Sequence, residues 1–170
     1  MILNSSITEE EILRVIKNLK SNKASGYDDI VNEHIRCTIH IFLPIYCKLF
    51  NIVLNCGIIP ESWSEGVIFL IYKNKGDTKD SSSYRHITLV SCPSKTFTSV
   101  LNDRLCEISD EVGLISESQT EFRKGYSTLD NIFSLHALIL IYMSLGKILY
   151  CTFVDLSKAF DTIFIINFKS

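Results

Sequence analysis

The segment Ile148-Leu149-Tyr150-Cys151-Thr152-Phe153-Val154 constrains this chain more than any other, because it is nearly apolar without alternating. A strand with one face in water alternates apolar and polar residues, so an unbroken run of this kind is expected to be covered on both faces. The run passes directly into Asp155. An acid at the end of a buried strand is held rigidly while the turn after it opens to solvent, which is where a fold would place a metal-binding carboxylate. The same residue has a plainer use as the cap of a short helix beginning at Leu156, and spacing alone leaves both readings open.

The preceding sequence reads mainly as helices. Thr8 and Glu11 have the spacing of a capping box, Ile7 and Ile12 that of a hydrophobic staple, and Ile12, Val15, Ile16 and Leu19 form one stripe. These features predict a helix over residues 8 to 20. Residues 21 to 29, with Lys23, Gly26 and two aspartates, predict a loop. The pattern from Asn32 to Asn55 is helical, but Pro44 lacks an amide donor. Two helices meeting near Phe42 are expected there, the second ending before Gly57. Val67 to Tyr72 and His86 to Val90 read as strands joined by the basic turn Lys73-Asn74-Lys75-Gly76-Asp77. A helix from Pro93 to about Gly113 would bury Phe97, Val100, Leu101, Leu105 and Ile108. After a polar loop over residues 119 to 126, Ser127 or Thr128 caps a last helix carrying Ile132, Leu135, Leu138, Ile139 and Tyr142 and ending near Gly146. The fold class expected from this order is α+β.

Composition narrows the function. With 170 residues, 46% of them hydrophobic, the chain can build one core. A formal charge of -2 excludes the strongly basic balance of a self-sufficient nucleic-acid-binding module, so any such site must be local. The six cysteines include no C-x-x-C pair and read as reduced core thiols. No secretory signal is visible near Met1, and an intracellular location, cytoplasmic or nuclear, follows. Ile39 to Ile59 contains Pro44 and Lys48, and Ile132 to Leu145 is only fourteen residues long, so both read as buried helices rather than membrane spans. His34, Cys37 and His40 lie on one predicted helix, where positions six apart diverge too far to share a metal ion.

Motifs identify a family. Phe153-Val154-Asp155-Leu156-Ser157-Lys158-Ala159-Phe160-Asp161 resembles the first catalytic palm motif of reverse transcriptases from LINE-type, non-LTR retrotransposons of the jockey kind. Three earlier blocks, in the same order, resemble the finger region of those enzymes. The first is Lys23-Ala24-Ser25-Gly26-Tyr27-Asp28 with Asn32-Glu33. The second is Ile59-Pro60-Glu61-Ser62-Trp63 leading to Ile71-Tyr72-Lys73-Asn74-Lys75-Gly76-Asp77, and the third is Tyr84-Arg85-His86-Ile87-Thr88-Leu89. A fourth block, Gln119 to Gly125 followed by Ser127, Thr128 and Asp130, is similar to the segment joining fingers and palm, so the resemblance spans about residues 8 to 163.

The resemblance implies part of a right-hand polymerase: a helix-rich finger region over residues 1–126, the start of the palm with its first strand over 127–163, and a divergent tail over 164–170. It implies an RNA-directed DNA polymerase working on an RNA template, a DNA primer and dNTPs, with two Mg2+ ions and with no membrane or protein partner. Asp155 matches the carboxylate that binds both metal ions, and the carbonyl of Leu156 would complete that side of the site. Phe160 matches the aromatic gate against a ribose 2'-hydroxyl, with core packing as its alternative. Arg85 matches the arginine that clamps the triphosphate through its guanidinium fork. Lys73, on the basic loop before it, is placed in the dNTP site, with the template backbone or an ordinary solvated position as alternatives. Lys75, Gln119, Arg123 and Lys124 are the candidates for nucleic-acid contact, with ordinary solvated loop positions as the alternative for the charged ones. Asp161 reads as a structural acid.

The sequence departs from the family at His86, where proline usually follows the arginine, and at Glu121, where glycine usually precedes Phe122. A carboxylate at residue 121 weakens attraction for a phosphate backbone at Arg123 and Lys124. The adjacent aspartate pair of the later palm hairpin does not occur here, Asp28-Asp29 lying in the finger loop. One carboxylate and one carbonyl supply too few oxygens for two metal ions, so no polymerase activity is expected of this chain alone.

Overall fold

The computed structural model describes residues 2–116, 118–121, 123 and 125–155, and they divide into two compact units, residues 1–115 and 116–170. Helices and one small antiparallel sheet make the chain α+β.

In the first unit, helix α1 (Glu9–Lys17) starts as its capping box requires. Thr8 Oγ1 accepts from the Glu11 amide at 3.3 Å, and Glu11 Oε2 accepts from the Thr8 amide at 2.8 Å. These bonds satisfy amides that the first turn leaves without helical partners. Ile7, Ile12, Val15 and Ile16 are buried, as the sequence pattern predicts.

Helix α2 (Asn32–Cys56) is a single helix with Pro44 inside it, where two helices were expected. Proline removes one helical hydrogen bond at a cost of about 3 kcal/mol. Pro44 lies on the exposed side of α2, as does His40, whose carbonyl loses its partner, so water can satisfy that oxygen. Ile35 before the proline and Phe50 and Val53 after it are all buried in the same core, which a break would divide. Gly57, at φ 68°, ends the helix by donating its amide to Val53 O at 2.9 Å. By length and composition α2 could also cross a membrane; Phe50 and Val53 pack in the core, but Ile41, Phe42, Ile45 and Ile52 are exposed, contrary to the expectation of a buried helix.

The short helix α3 (Glu61–Ser64) carries Trp63 into that core, where its ring lies 5.9 Å from Phe50 and 5.7 Å from Phe97. Strands β1 (Val67–Tyr72) and β2 (Tyr84–Leu89) pair antiparallel in the register Val67 to Leu89 and Tyr72 to Tyr84. Helix α4 (Cys92–Val112) begins with Ser91 as its cap and Pro93 in its first turn, and Gly113 at φ 65° closes it.

The buried face of α4 differs from the expected stripe. Leu105 is exposed, and Arg104 takes the place in the core beside Val100. The reason is the acid opposite: Arg104 Nε and Nη2 donate to the two oxygens of Glu11 at 2.6 and 2.9 Å. The same guanidinium donates to the carbonyls of Leu3, Ser5 and Ser6 at 3.2, 2.6 and 3.0 Å. A buried charge is tolerated where it is paired and its donors are satisfied, and both conditions hold here.

In the second unit, helix α5 (Thr128–Ser144) is capped by Ser127 in a box with Asp130, near the expected position. No residue of α5 is buried, contrary to the expectation of a buried helix, because among the described residues nothing covers its apolar surface. The expected strand Ile148–Val154 is not formed: these residues take no regular structure, and Ile148, Tyr150, Phe153 and Val154 are exposed. A strand needs a neighbour to satisfy its amides and carbonyls, and β1 and β2, the strands among the described residues, pair only with each other.

The cysteines need a correction of the same kind. All six are free, as expected, but only Cys92 is buried; Cys47 is half-buried, and Cys37, Cys56, Cys106 and Cys151 are exposed.

Candidate nucleotide and nucleic-acid site

The residues with the strongest claim to triphosphate contact sit on the β1–β2 hairpin. Arg85 stands opposite Ile71 in the register and is exposed. Lys73, one residue past β1, is tied by its amide to Ser83 O and by its Nζ to Ser82 O, each at 2.8 Å. One of its three ammonium donors is thereby committed, which holds the side chain over the connecting loop. Lys75 is exposed within that loop. The tyrosines at the last register pair close the hairpin: their rings lie 5.4 Å apart, Tyr72 donates to Gly76 O at 2.7 Å and Tyr84 to Thr78 O at 3.0 Å. Gly76 combines φ 90° with a position where a Cβ would stand 2.4 Å from Ser83 Oγ, so the turn admits glycine alone.

A second loop, residues 18–31, is built against the far end of β2. A Cβ on Gly26 would lie 2.7 Å from the carbonyl carbon of Val90 and 2.8 Å from Ser91 N, so this glycine permits two stretches of backbone to touch. The motif residues after it hold the loop down. Buried Asn32 donates to Lys20 O at 2.7 Å and accepts from Cys92 Sγ at 3.1 Å. Glu33 accepts from the amide of Asn22, itself at φ 56°, at 2.6 Å, and this bond holds the Glu33 carboxyl below its ordinary range. Arg36 donates to Leu19 O and, at 3.1 Å, to Ser21 Oγ. Burial pushes the Cys92 thiol up, which suits it as a neutral donor to Asn32. Asn32 and Glu33 therefore act as fasteners of the loop, a role the motif alone does not disclose. Gly26→Ala is expected to destabilise the first unit by about 1–3 kcal/mol, because the backbone of Val90 must shift; urea denaturation would measure it, and an unchanged midpoint would refute the close approach.

The remaining candidates belong to the second unit. Gln119 is exposed and donates its amide to Ser116 O at 3.0 Å. Arg123 is half-buried, donates to Ser116 O at 3.3 Å and lies over the ring of Tyr126, 4.3 Å from its centroid. Thr120 is buried and accepts from Asn131 Nδ2 at 2.8 Å, which ties this loop to the first turn of α5. Asp155 is exposed. Lys124, Leu156, Phe160 and Asp161 lie outside the described residues.

The fit of a magnesium pair can be judged from the donors. Mg2+ is octahedral and takes oxygen ligands, several from carboxylates and substrate phosphates. Among the described residues no group of three or more acids, histidines or cysteines converges, and Asp155 stands as a single carboxylate. Among the described residues the donors do not fit the metal pair.

The family model for reverse transcriptase (RNA-dependent DNA polymerase) matches residues 72–165, and the chain belongs to that family. The chain is 28% identical over 157 residues to the probable RNA-directed DNA polymerase from transposon BS of Drosophila melanogaster, covering 92% of this chain and 17% of that protein. Against the probable polymerase from transposon X-element it is 27% identical over 159 residues, covering 94% and 18%. Against the RNA-directed DNA polymerase from mobile element jockey the figures are 28% over 159 residues, 94% and 17%. The resemblance drawn from the motifs is borne out, and the chain spans less than a fifth of the length of these relatives.

Proposed function

We propose that this chain is the finger region and the beginning of the palm of an RNA-directed DNA polymerase from a non-LTR retrotransposon, with fingers over residues 1–126, the palm beginning at 127–163 and a divergent tail at 164–170. In the complete enzyme the reaction is template-directed nucleotidyl transfer onto a DNA primer. Arg85 and Lys73 neutralise the triphosphate of the incoming dNTP, Asp155 and the Leu156 carbonyl would supply only part of a divalent-metal site that further oxygen ligands must complete, and Phe160 screens the sugar. Lys75, Gln119, Arg123 and Lys124 contact nucleic acid. The observation that carries the reading is the way motif residues divide the work: Gly26, Asn32, Glu33, Trp63 and Gly76 are committed to packing or turns, while Arg85 and Lys75 remain exposed on the hairpin.

The 170-residue chain by itself binds nucleic acid without catalysing transfer, because its single motif carboxylate supplies too few oxygens. Titrating the chain into fluorescent single-stranded RNA at several salt concentrations tests this. With no dNTP present these two cations are open to the phosphates of the strand, so Arg85→Ala with Lys73→Ala is expected to weaken binding about tenfold at low salt and to reduce the slope of log K against log salt by about 1.4. Binding that ignores both salt and the double substitution would sink the reading, and primer extension by this chain would overturn the inactivity.

A further inference from the structure

We propose that Arg123 and Tyr126 together form a stacking platform for an unpaired nucleobase of a single RNA strand, with Tyr126 as a binding residue that neither motif nor family match assigns. The proposal rests on the nucleic-acid reading above and adds to it the mode of contact. Gly125, at φ 87°, is the third residue of a turn in which the Tyr126 amide donates to Arg123 O at 3.4 Å. A turn brings the Cα atoms of its first and fourth residues within about 7 Å, close enough for the guanidinium to reach the ring. Arg123 is also bonded to Ser116 O, and Thr120 pins the loop to Asn131, so the pair is displayed on a fastened loop.

The guanidinium covers one face of the Tyr126 ring, yet the residue retains 41% of its exposure. A planar cation over an aromatic ring polarises it and fixes its orientation. An exposed ring held this way suits a flat partner, and every base has a π-face, so stacking here would be indifferent to sequence. Exposed Glu121 sits two residues before Arg123 and opposes a phosphate at that point. That charge favours a base rather than the backbone as the group that meets this loop. Template readout without base specificity is what a copying enzyme requires.

The test measures binding of the whole chain to two fluorescent probes of equal length, a single-stranded RNA and an abasic sugar-phosphate strand, with duplex RNA as a further arm. Tyr126→Ala and Tyr126→Leu are expected to weaken binding to the base-bearing strand about 5- to 100-fold. They should leave the salt slope and the abasic strand unchanged, and Tyr126→Phe should bind like the parent. Using Leu and Phe together separates stacking from loss of packing, since both fill the site but only one is aromatic. Equal binding by Leu and Phe variants, an equal loss on the abasic strand, or a preference for duplex would overturn the platform while leaving nucleic-acid binding intact. Failure of the parent chain to bind any probe would instead overturn the underlying reading, and the platform with it.

Discussion

Arg104→Ala is expected to lower the stability of the first unit by about 3–5 kcal/mol, a large part of what a small domain possesses. The guanidinium is 2% exposed and grips a carboxylate that is 18% exposed, so alanine would leave Glu11 partly buried without its cation. It would also strip the Leu3, Ser5 and Ser6 carbonyls of their donor and release the segment that leads into α1. The same pair predicts a pH dependence. Its hydrogen bonds from Arg104, ahead of those from Thr8, hold the Glu11 carboxyl at about 2 against an ordinary 4.5. Because the folded value is depressed, the associated stability is complete above about pH 4.5 and is lost as pH falls toward 2. The loss amounts to something on the order of 3 kcal/mol. Urea midpoints followed from neutral pH down to acid should fall through that window in the parent and fall less in Glu11→Gln, where the depressed Glu33 carboxyl still contributes. A parent midpoint that ignores the window, or an Arg104→Ala chain within 1 kcal/mol of the parent, would show that the pair does not carry this load.

Trp63→Ala should cost a similar amount, about 3–5 kcal/mol, by opening a cavity between α2 and α4. Trp63 contacts Phe50, which is fully buried, and Phe97, whose ring centroids also lie 5.4 Å from each other in an edge arrangement. Such pairs add to the area buried. Trp63 also stands four residues before Val67, so it fixes where β1 leaves the core and hence where the hairpin presents Arg85. Trp63→Phe should restore more than half of the stability and most of the RNA affinity. An alanine variant that loses stability but keeps parent affinity under folding conditions would separate the hairpin from this anchor.

Turns and helix ends were readable because each depends on a local rule. Gly76 suits the turn after β1, the capping box at Thr8 needs a fixed spacing, Ser127 was one of two adjacent candidate caps, and Pro93 suits a first turn. Where the outcome depended on a distant residue, the pattern misled. Pro44 argues for a break, yet the core seats Ile35, Phe50 and Val53 along one uninterrupted helix. Leu105 fits the apolar stripe of α4, yet the carboxylate of Glu11 selects Arg104 for the buried place. The Arg123–Tyr126 stack escaped notice because nothing in Arg-Lys-Gly-Tyr states that the turn closes.

The run Ile148–Val154 marks the division most clearly. The motif Phe153–Asp161 that overlaps it resembles one of reverse transcriptases, and the family match covers it, a matter of residue identity and order that sequence alone decides. Whether that run becomes a strand is a different question, since a strand is stabilised by hydrogen bonds and packing from neighbours far away in the chain, and here it stays exposed and unpaired among the described residues. Family, turns and helix ends were therefore set by local chemistry. Which faces are buried, where Arg104 sits and whether Asp155 stands on a strand were decided only by tertiary contacts.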